Sequence, residues 1–160
     1  MNKNIVILFA AWSLCIGTAC TTANNKENNQ KKENNMENLH LTNEWDKTFP
    51  KSDKVNHSKV TFANRYGITL AADMYVPKNA DGKLPAIAVC GPFGAVKEQA
   101  AGLYAQTMAE RGFLTIAFDP SYTGESGGEP RYVVSPDINT EDFSASVDFL
   151  ATNDQVDAER

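Results

Sequence analysis

The order of apolar runs between residues 85 and 118 constrains the fold of this 160-residue chain more than any other feature. Residues 85–90 and 113–118 are short and continuously apolar, which is typical of strands covered on both faces. The stretch 97–111 between them predicts a helix, with one apolar face formed by Ala101, Tyr104, Ala105 and Met108. Gly112 stands where a left-handed helix cap belongs. Strand, helix and strand of these lengths predict a parallel βαβ unit with a right-handed crossover.

The flanking segments predict a hairpin before this unit and a helix after it. Residues 59–63 and 68–76 are predicted strands, and Gly67 can supply the positive φ that a tight connection needs. A second helix is predicted over 140–152, capped by Asn139 or Thr140. We expect its buried face to carry the apolar residues at helical spacing, namely Phe143, Val147, Leu150 and Ala151.

With these elements alone, an apolar strand at the edge of the predicted sheet would lack a neighbour. Buried parallel strands need neighbours on both sides, and an apolar strand edge in water favours aggregation. The sequence therefore predicts an α/β sheet that is incomplete, with further polypeptide beyond residue 160. The alternative is a self-contained small sheet.

The N-terminus predicts export. Residues 1–19 have the layout of a signal peptide, and the apolar run 5–16 is too short to span a bilayer comfortably. Small residues directly before Cys20 resemble a bacterial lipobox, so Cys20 is the expected lipidation site; the alternative is an ordinary signal with an incidental cysteine. Residues 21–40 contain seven Asn and almost nothing apolar, which predicts a disordered linker over 20–45 and a domain over 46–160.

Composition argues against several function classes. The formal net charge is −5 and no basic stripe is present, so nucleic acid is not an expected partner. Both histidines, His40 and His57, fall in what reads as leader sequence, and no Cys or His spacing suggests a metal site. The sequence therefore predicts neither a metal nor a cofactor.

The loop Gly91-Pro92-Phe93-Gly94 is the best candidate for chemistry. It follows an apolar strand and precedes a helix, where backbone N–H groups can stabilise a developing negative charge. Pro92 has no N–H group, so Phe93 and Gly94 are the expected donors. The alternative is a glycine-rich turn that only lets helix and strand pack closely.

The pattern G-x-S-x-G at residues 124–128 is misleading. A nucleophile elbow needs its serine on a sharp turn directly between strand and helix. Here the preceding strand ends near Asp119, and the next predicted helix begins near Thr140. We therefore predict a structural role for Ser126.

The remaining polar residues of this region receive structural interpretations as well. Cys90 is interpreted as a small hydrophobe, and Asp119 is expected to accept backbone hydrogen bonds from the following loop. Tyr122 and Tyr132 either line a pocket or pack on their own domain. The acidic residues are predicted to form a solvated surface, namely Glu125, Glu129, Asp137, Glu141 and Asp142.

Three segments in this order resemble the N-terminal part of an α/β-hydrolase, in the dienelactone-hydrolase-like, peptidase-related bacterial group. They are residues 68–77 (ITLAADMYVP), 91–99 (GPFGAVKEQ) and 118–128 (FDPSYTGESGG). The fold implied is a hairpin, one βαβ unit and a following helix, truncated before the nucleophile elbow. Residues 156–160 resemble the lead-in to the strand that carries this elbow.

The resemblance implies a serine hydrolase that acts on an ester, a lactone or a peptide-like bond. Phe93 would provide one N–H group of the oxyanion hole, and the serine would lie beyond residue 160. No residue of this chain matches a catalytic triad position, so the chain alone is expected to be inactive. Expected partners are a small-molecule or peptide-like substrate and, through the lipid, a membrane. The alternatives are a surface-tethered, non-catalytic binding module and a degenerate gene product.

Overall fold

The computed structural model describes residues 37–159. Its elements are β1 (Val55–Ala63), β2 (Thr69–Pro77), β3 (Ala86–Cys90), α1 (Ala100–Ala109), β4 (Leu114–Phe118) and α2 (Pro136–Ala151). The predicted signal peptide and the predicted lipidation site at Cys20 lie outside the described residues. None of the helices formed by residues 37–159 has the length and apolar character that crossing a bilayer requires.

The four strands form one mixed sheet in the order β1-β2-β4-β3. β1 and β2 are an antiparallel hairpin, and Gly67 has a φ of +81° in the turn between them. β3 and β4 are parallel and connected by α1, which confirms the predicted βαβ unit. β1 begins four residues earlier than predicted, because Val55 pairs with Pro77 and the hairpin uses the whole length of β2.

Apolar residues cover both faces of the sheet. Alternate side chains of a strand point to opposite faces, and along β4 Ile116 and Phe118 pack on the α2 side while Ala117 packs with α1. Ala101 and Ala105 of α1 are buried as predicted, and their small size lets the helix approach the sheet closely. Tyr104, which was predicted on the same face, is exposed.

α2 differs most from its prediction. It begins at Pro136 rather than near Thr140, and the Ser135 side chain accepts the capping hydrogen bond from the Ile138 N–H group. Leu150 is buried as predicted, whereas Phe143 and Val147 are exposed. The side that faces the domain instead carries the buried residues Glu141, Asp142, Ala145 and Ser146. Apolar periodicity failed here because hydrogen bonds, rather than apolar contacts, hold one turn of the helix in place.

Residues 37–45, which the sequence assigned to a linker, contact the domain. The Glu37 N–H group donates to Thr69 Oγ1 at 2.8 Å, and the Thr42 N–H group donates to Glu125 at 2.6 Å. Trp45 packs edge-on against Phe49, whose ring is buried among the α1 alanines. The described N-terminal segment is thus part of the packed structure.

Candidate functional site

The loop after β3 forms a tight turn at the carboxyl end of the sheet. The Ala95 N–H group donates to the Pro92 carbonyl at 3.0 Å, and Gly94 has a φ of +81°. This combination is a type II turn, in which the residue at Gly94's position needs positive φ and is therefore usually glycine. Phe93 occupies the position before it, and its side chain is 70% exposed.

An apolar cleft of about 500 Å³ opens beside this turn. Its floor includes Cys90 and Phe118 at the ends of β3 and β4, which is the side where open α/β sheets bind ligands. The cleft is also lined by residues of the turn and of the segment before and within α2, namely Pro92, Phe93, Gly94, Val133, Val134 and Phe143. Among its lining residues in the described part of the chain, none is an Asp, Glu, Lys, Arg or His.

The cleft and the turn together can stabilise a negatively charged oxygen. Within residues 37–159, the N–H groups of Phe93 and Gly94 donate no hydrogen bond, although both residues line the cleft. Backbone donors in a water-poor apolar site act more strongly than they do in water. The two predicted donors therefore lie beside an apolar cleft and have no acceptor among the described residues.

Ser126 occupies a structural position. It is 2% exposed, accepts a hydrogen bond from the Ala71 N–H group at 2.8 Å and donates to the Asp119 carbonyl at 2.7 Å. The hydroxyl group thus lies between two strands, where a direct ladder bond would otherwise form. Among the described residues no histidine contacts Ser126, and Ser126 does not line the cleft.

Cys90 lines the cleft but is poorly suited to nucleophilic chemistry. Burial raises the pKa of its thiol to about 11, and the nearby carboxylates of Asp119 and Asp142 add to this effect. The thiol is therefore protonated at neutral pH, whereas the thiolate is the nucleophilic form.

A buried ion cluster lies behind the turn. The Lys97 side chain is fully buried, and its Nζ contacts Asp119 at 2.6 Å, Glu98 at 2.6 Å and Glu125 at 2.8 Å. Lys59 also binds Glu125. Burial by itself would lower the pKa of Lys97, but the carboxylates, Asp119 first among them, raise this pKa above its usual value. Lys97 is therefore positively charged at neutral pH, whereas burial raises the pKa of the Asp119 carboxyl group against the opposing effect of Lys97.

A model of the X-Pro dipeptidyl-peptidase (S15) family matches residues 66–159. The chain belongs to this family.

Curated relatives of this S15-family chain include proteins of bacteria and fungi. The chain is 75% identical over 123 residues to the uncharacterized protein PA2218 of Pseudomonas aeruginosa, covering 76% of this chain and 33% of that protein. It is 49% identical to the uncharacterized protein YcjY of Escherichia coli over 65% of this chain and 35% of that protein. It is 32% identical to thiohydrolase aneE of Aspergillus aculeatus over 68% and 33%. The chain spans about a third of the length of these relatives.

Solved structures support the same fold. The crystal structure of the Pseudomonas aeruginosa protein matches with a TM-score of 0.76 and 74% identity, over 78% of this chain and 39% of that one. DcsB, solved with a substrate analogue, matches with a TM-score of 0.59 and 30% identity, over 64% and 34%. Est1E of Butyrivibrio proteoclasticus, solved with ferulic acid, has a TM-score of 0.54 and 26% identity, over 61% and 39%. The four-stranded sheet and its two helices are therefore a partial α/β-hydrolase fold.

Three acidic residues that the sequence placed on a solvated surface are in fact bound inside the domain. Glu125 belongs to the Lys97 cluster. Asp142 is fully buried, with Oδ1 accepting from the Asn64 amide and the Ser121 hydroxyl, both at 2.8 Å, while Glu141 pairs with Arg65. Sequence reasoning missed these contacts because their partners lie far away along the chain, and local composition carries no signal for them.

His57 was also misplaced by the sequence. It belongs to β1 and contacts Asp73 Oδ1 at 2.8 Å through Nε2, while Lys47 binds the other oxygen of Asp73 at 3.0 Å. Burial opposes ionisation of Asp73, but the hydrogen bonds from His57 and Lys47 prevail and lower the pKa of its carboxyl group. His57 does not line the apolar cleft, so this pair ties the N-terminal segment to the sheet rather than serving the turn.

The two tyrosines of the loop after β4 have separate surroundings. Tyr132 is exposed and lines a smaller cleft of about 240 Å³ with Gly94 and Val134, whereas Tyr122 is half-buried. Both have positive φ, and the Tyr132 N–H group donates to the Tyr122 carbonyl at 2.9 Å. The pocket-lining interpretation therefore applies to Tyr132.

Proposed function

We propose that this chain is the N-terminal part of an exported hydrolase that cleaves an ester, thioester, lactone or peptide-like bond. The nucleophile of this enzyme is a serine beyond residue 160, and the present chain alone is inactive. Its contribution is the Phe93–Gly94 donor pair and one side of the substrate cleft.

The observation that carries this proposal concerns the N–H groups of Phe93 and Gly94. Neither donates a hydrogen bond among the described residues, although both residues line an apolar cleft. In acyl transfer, the carbonyl oxygen of the substrate becomes negatively charged in the transition state, and such donors lower the energy of that state. The cleft beside them suits an apolar acyl group, because its described lining carries no ionisable side chain other than the neutral Cys90.

The edge position of β3 in the sheet that residues 37–159 form supports the proposed position of the nucleophile. Val156 forms a parallel bridge with Leu84, in which the Leu84 N–H group donates to Gln155 and its carbonyl accepts from Asp157, both at 2.8 Å. A strand that continued from this bridge would run parallel to β3 and end beside the Phe93 turn. That is where a nucleophile must stand to attack an acyl group held by the turn.

The comparisons favour acyl transfer over other chemistries. Three fungal relatives are named thiohydrolases, and one solved neighbour holds ferulic acid. Because the chain covers only a third of these proteins, their activities support the reaction class and leave the substrate itself open to experiment.

The donor role is tested by Phe93→Pro in the gene product that extends beyond residue 160. Proline suits the second position of a type II turn, so this variant removes the N–H group and keeps the turn. We expect kcat for a p-nitrophenyl ester to fall about 10²-fold to 10³-fold, the range found when one oxyanion donor is lost. Phe93→Ala, which keeps the N–H group, is the matched control and should retain kcat within a few-fold.

The outcomes separate the alternatives. The 160-residue chain should show neither turnover nor labelling by a fluorophosphonate probe, whereas the longer product should show both. A longer product that is folded but neither hydrolyses esters or thioesters nor reacts with the probe would overturn the proposal and leave the binding module as the better interpretation. Equal kcat values for Phe93→Pro and Phe93→Ala would refute the donor role of Phe93 and leave the hydrolase proposal intact.

We also propose that the protein is exported and anchored to a membrane through lipidated Cys20. The support is the signal-like order of residues 1–19 and the small residues that precede this cysteine. Cells fed an alkyne fatty acid should label the wild-type chain and leave Cys20→Ser unlabelled. Equal labelling of the two would refute the anchor.

A further inference from the structure

Lys97 lies three residues after the proposed donor Gly94, and its buried ammonium group is surrounded by carboxylates. Its ammonium group has three N–H donors, and three carboxylates lie within 2.8 Å of its nitrogen. Taking such charges out of water is expensive, so a buried ion cluster is weak evidence for added stability. Its geometry therefore needs another explanation.

The contacts of Asp119 show what the cluster holds together. This residue directly follows β4 and is fully buried. Its Oδ1 accepts from the backbone N–H group of Lys97 at 2.7 Å, and its Oδ2 accepts from Lys97 Nζ at 2.6 Å and from the Glu125 N–H group at 3.0 Å. The Asp119 carboxylate thus binds both the end of the loop after β3 and the turn after β4.

Few other contacts hold the turn at residues 92–95, which carries the proposed donors. The Phe93 side chain points largely into solvent, and the described contacts within the turn amount to the Ala95–Pro92 bond. Its position therefore depends on its two ends, which are the last residue of β3 and the double attachment of Lys97 to Asp119.

We infer that Lys97 is a positioning residue, whose buried ammonium and backbone N–H groups hold residues 91–96 so that the Phe93 and Gly94 donors face the cleft. This inference rests on the proposed function for its catalytic consequence, whereas the anchoring of the loop can be measured without any activity. The ammonium group acts through the loop and does not touch the substrate.

Amide hydrogen exchange tests the anchoring in the 160-residue chain and in the longer product. Lys97→Met should speed exchange in residues 91–96 at least tenfold. Lys47→Met is the matched control, because Lys47 is also a fully buried lysine but binds Asp46 and Asp73 instead. It should leave exchange in this loop unchanged. Unchanged exchange in Lys97→Met, or equal acceleration in both variants, would overturn the inference.

Kinetics of the longer product test the catalytic consequence. A displacement of about 1 Å can lower turnover about 100-fold, so we expect Lys97→Met to lower kcat by 10-fold to 100-fold with KM changed less than threefold. The charge-balanced variant Lys97→Met/Glu125→Gln should show the same loss, even where it recovers stability. A wild-type kcat in this folded double variant would overturn the inference.

A double-mutant cycle with Phe93→Pro separates this inference from the proposed function. If Lys97 acts through this turn, adding Lys97→Met to Phe93→Pro should lower kcat by a smaller factor than Lys97→Met lowers it alone, because only the Gly94 donor is then left to displace. If the fold-decreases in kcat of the two single variants multiply in the double variant, Lys97 does not act through this turn. A Phe93→Pro variant with unchanged kcat would instead refute the donor role, while the exchange experiment would still decide whether Lys97 anchors the loop.

Discussion

Replacing Ser126 by alanine tests whether the G-x-S-x-G sequence is structural. The Ser126 hydroxyl bridges the Ala71 N–H group and the Asp119 carbonyl, and all three residues are essentially inaccessible to water. Ser126→Ala leaves one buried donor and one buried acceptor without this partner. Each unsatisfied group costs about 1–3 kcal/mol, so we expect the two groups to lower the free energy of unfolding by about 2–6 kcal/mol.

The measurement is urea unfolding followed by circular dichroism, with thermal unfolding as a second observable. A loss of this size corresponds to a fall in Tm on the order of 10 °C for a domain of this length. Ser58→Ala is the control, because Ser58 is exposed on β1 and such substitutions usually change stability by no more than about 0.5 kcal/mol. A Ser126→Ala protein as stable as the Ser58→Ala control, or covalent labelling of Ser126 by a fluorophosphonate, would refute the reasoning.

Two further predictions concern the Asp119 and Glu125 carboxylates. Gly124→Ala should lower Tm clearly more than Gly67→Ala does, although both glycines have positive φ. A Cβ on Gly124 would lie 2.2 Å from Asp119 Oδ2, whereas a Cβ on Gly67 would meet nothing within 4 Å. Comparable falls in Tm, measured by differential scanning calorimetry, would contradict the geometry. The hydrogen bonds of Lys59 and Lys97 overcome burial and lower the pKa of Glu125 from 4.5 to about 2, so its contribution to stability should be complete above about pH 4.5 and be lost as the pH falls toward 2. Urea titrations between these pH values should show a shallower decline for Glu125→Gln than for the wild type, and parallel declines would show that Glu125 does not carry this dependence.

The strands and the helix that bury apolar side chains were predictable from the sequence. The runs that became β3 and β4 are apolar along their length, and the helix between them was predicted with its buried Ala101 and Ala105. Apolar periodicity succeeds here because these residues are buried by the hydrophobic effect, which depends on residue type and spacing. The turn at Gly94 was predictable for a different reason, since its positive φ is a local property that favours glycine.

The buried charges were not predictable in this way. The sequence predicted that Asp119 accepts backbone hydrogen bonds from the following loop, as the Glu125 N–H group confirms. Nothing local, however, pairs Asp119 with Lys97, 22 positions away, or Asp142 with Ser121 and Asn64, 21 and 78 positions away. A charged side chain is buried only where the fold supplies partners for it. The same reason explains the wrongly predicted face of α2, where Asp142 is buried by its hydrogen bonds, whereas Phe143 stays partly exposed with its ring edge-on to Phe118.

The sequence alone thus determined the order of the strands and helices, the parallel crossover and the loop that presents Phe93 and Gly94. These follow from residue spacing and from backbone preferences that act over a few positions. Only the tertiary structure decided that Ser126 completes a strand ladder, that His57 binds Asp73, and that Lys97 is surrounded by carboxylates. Such contacts depend on which distant side chains folding brings within 3 Å, and no local pattern records that.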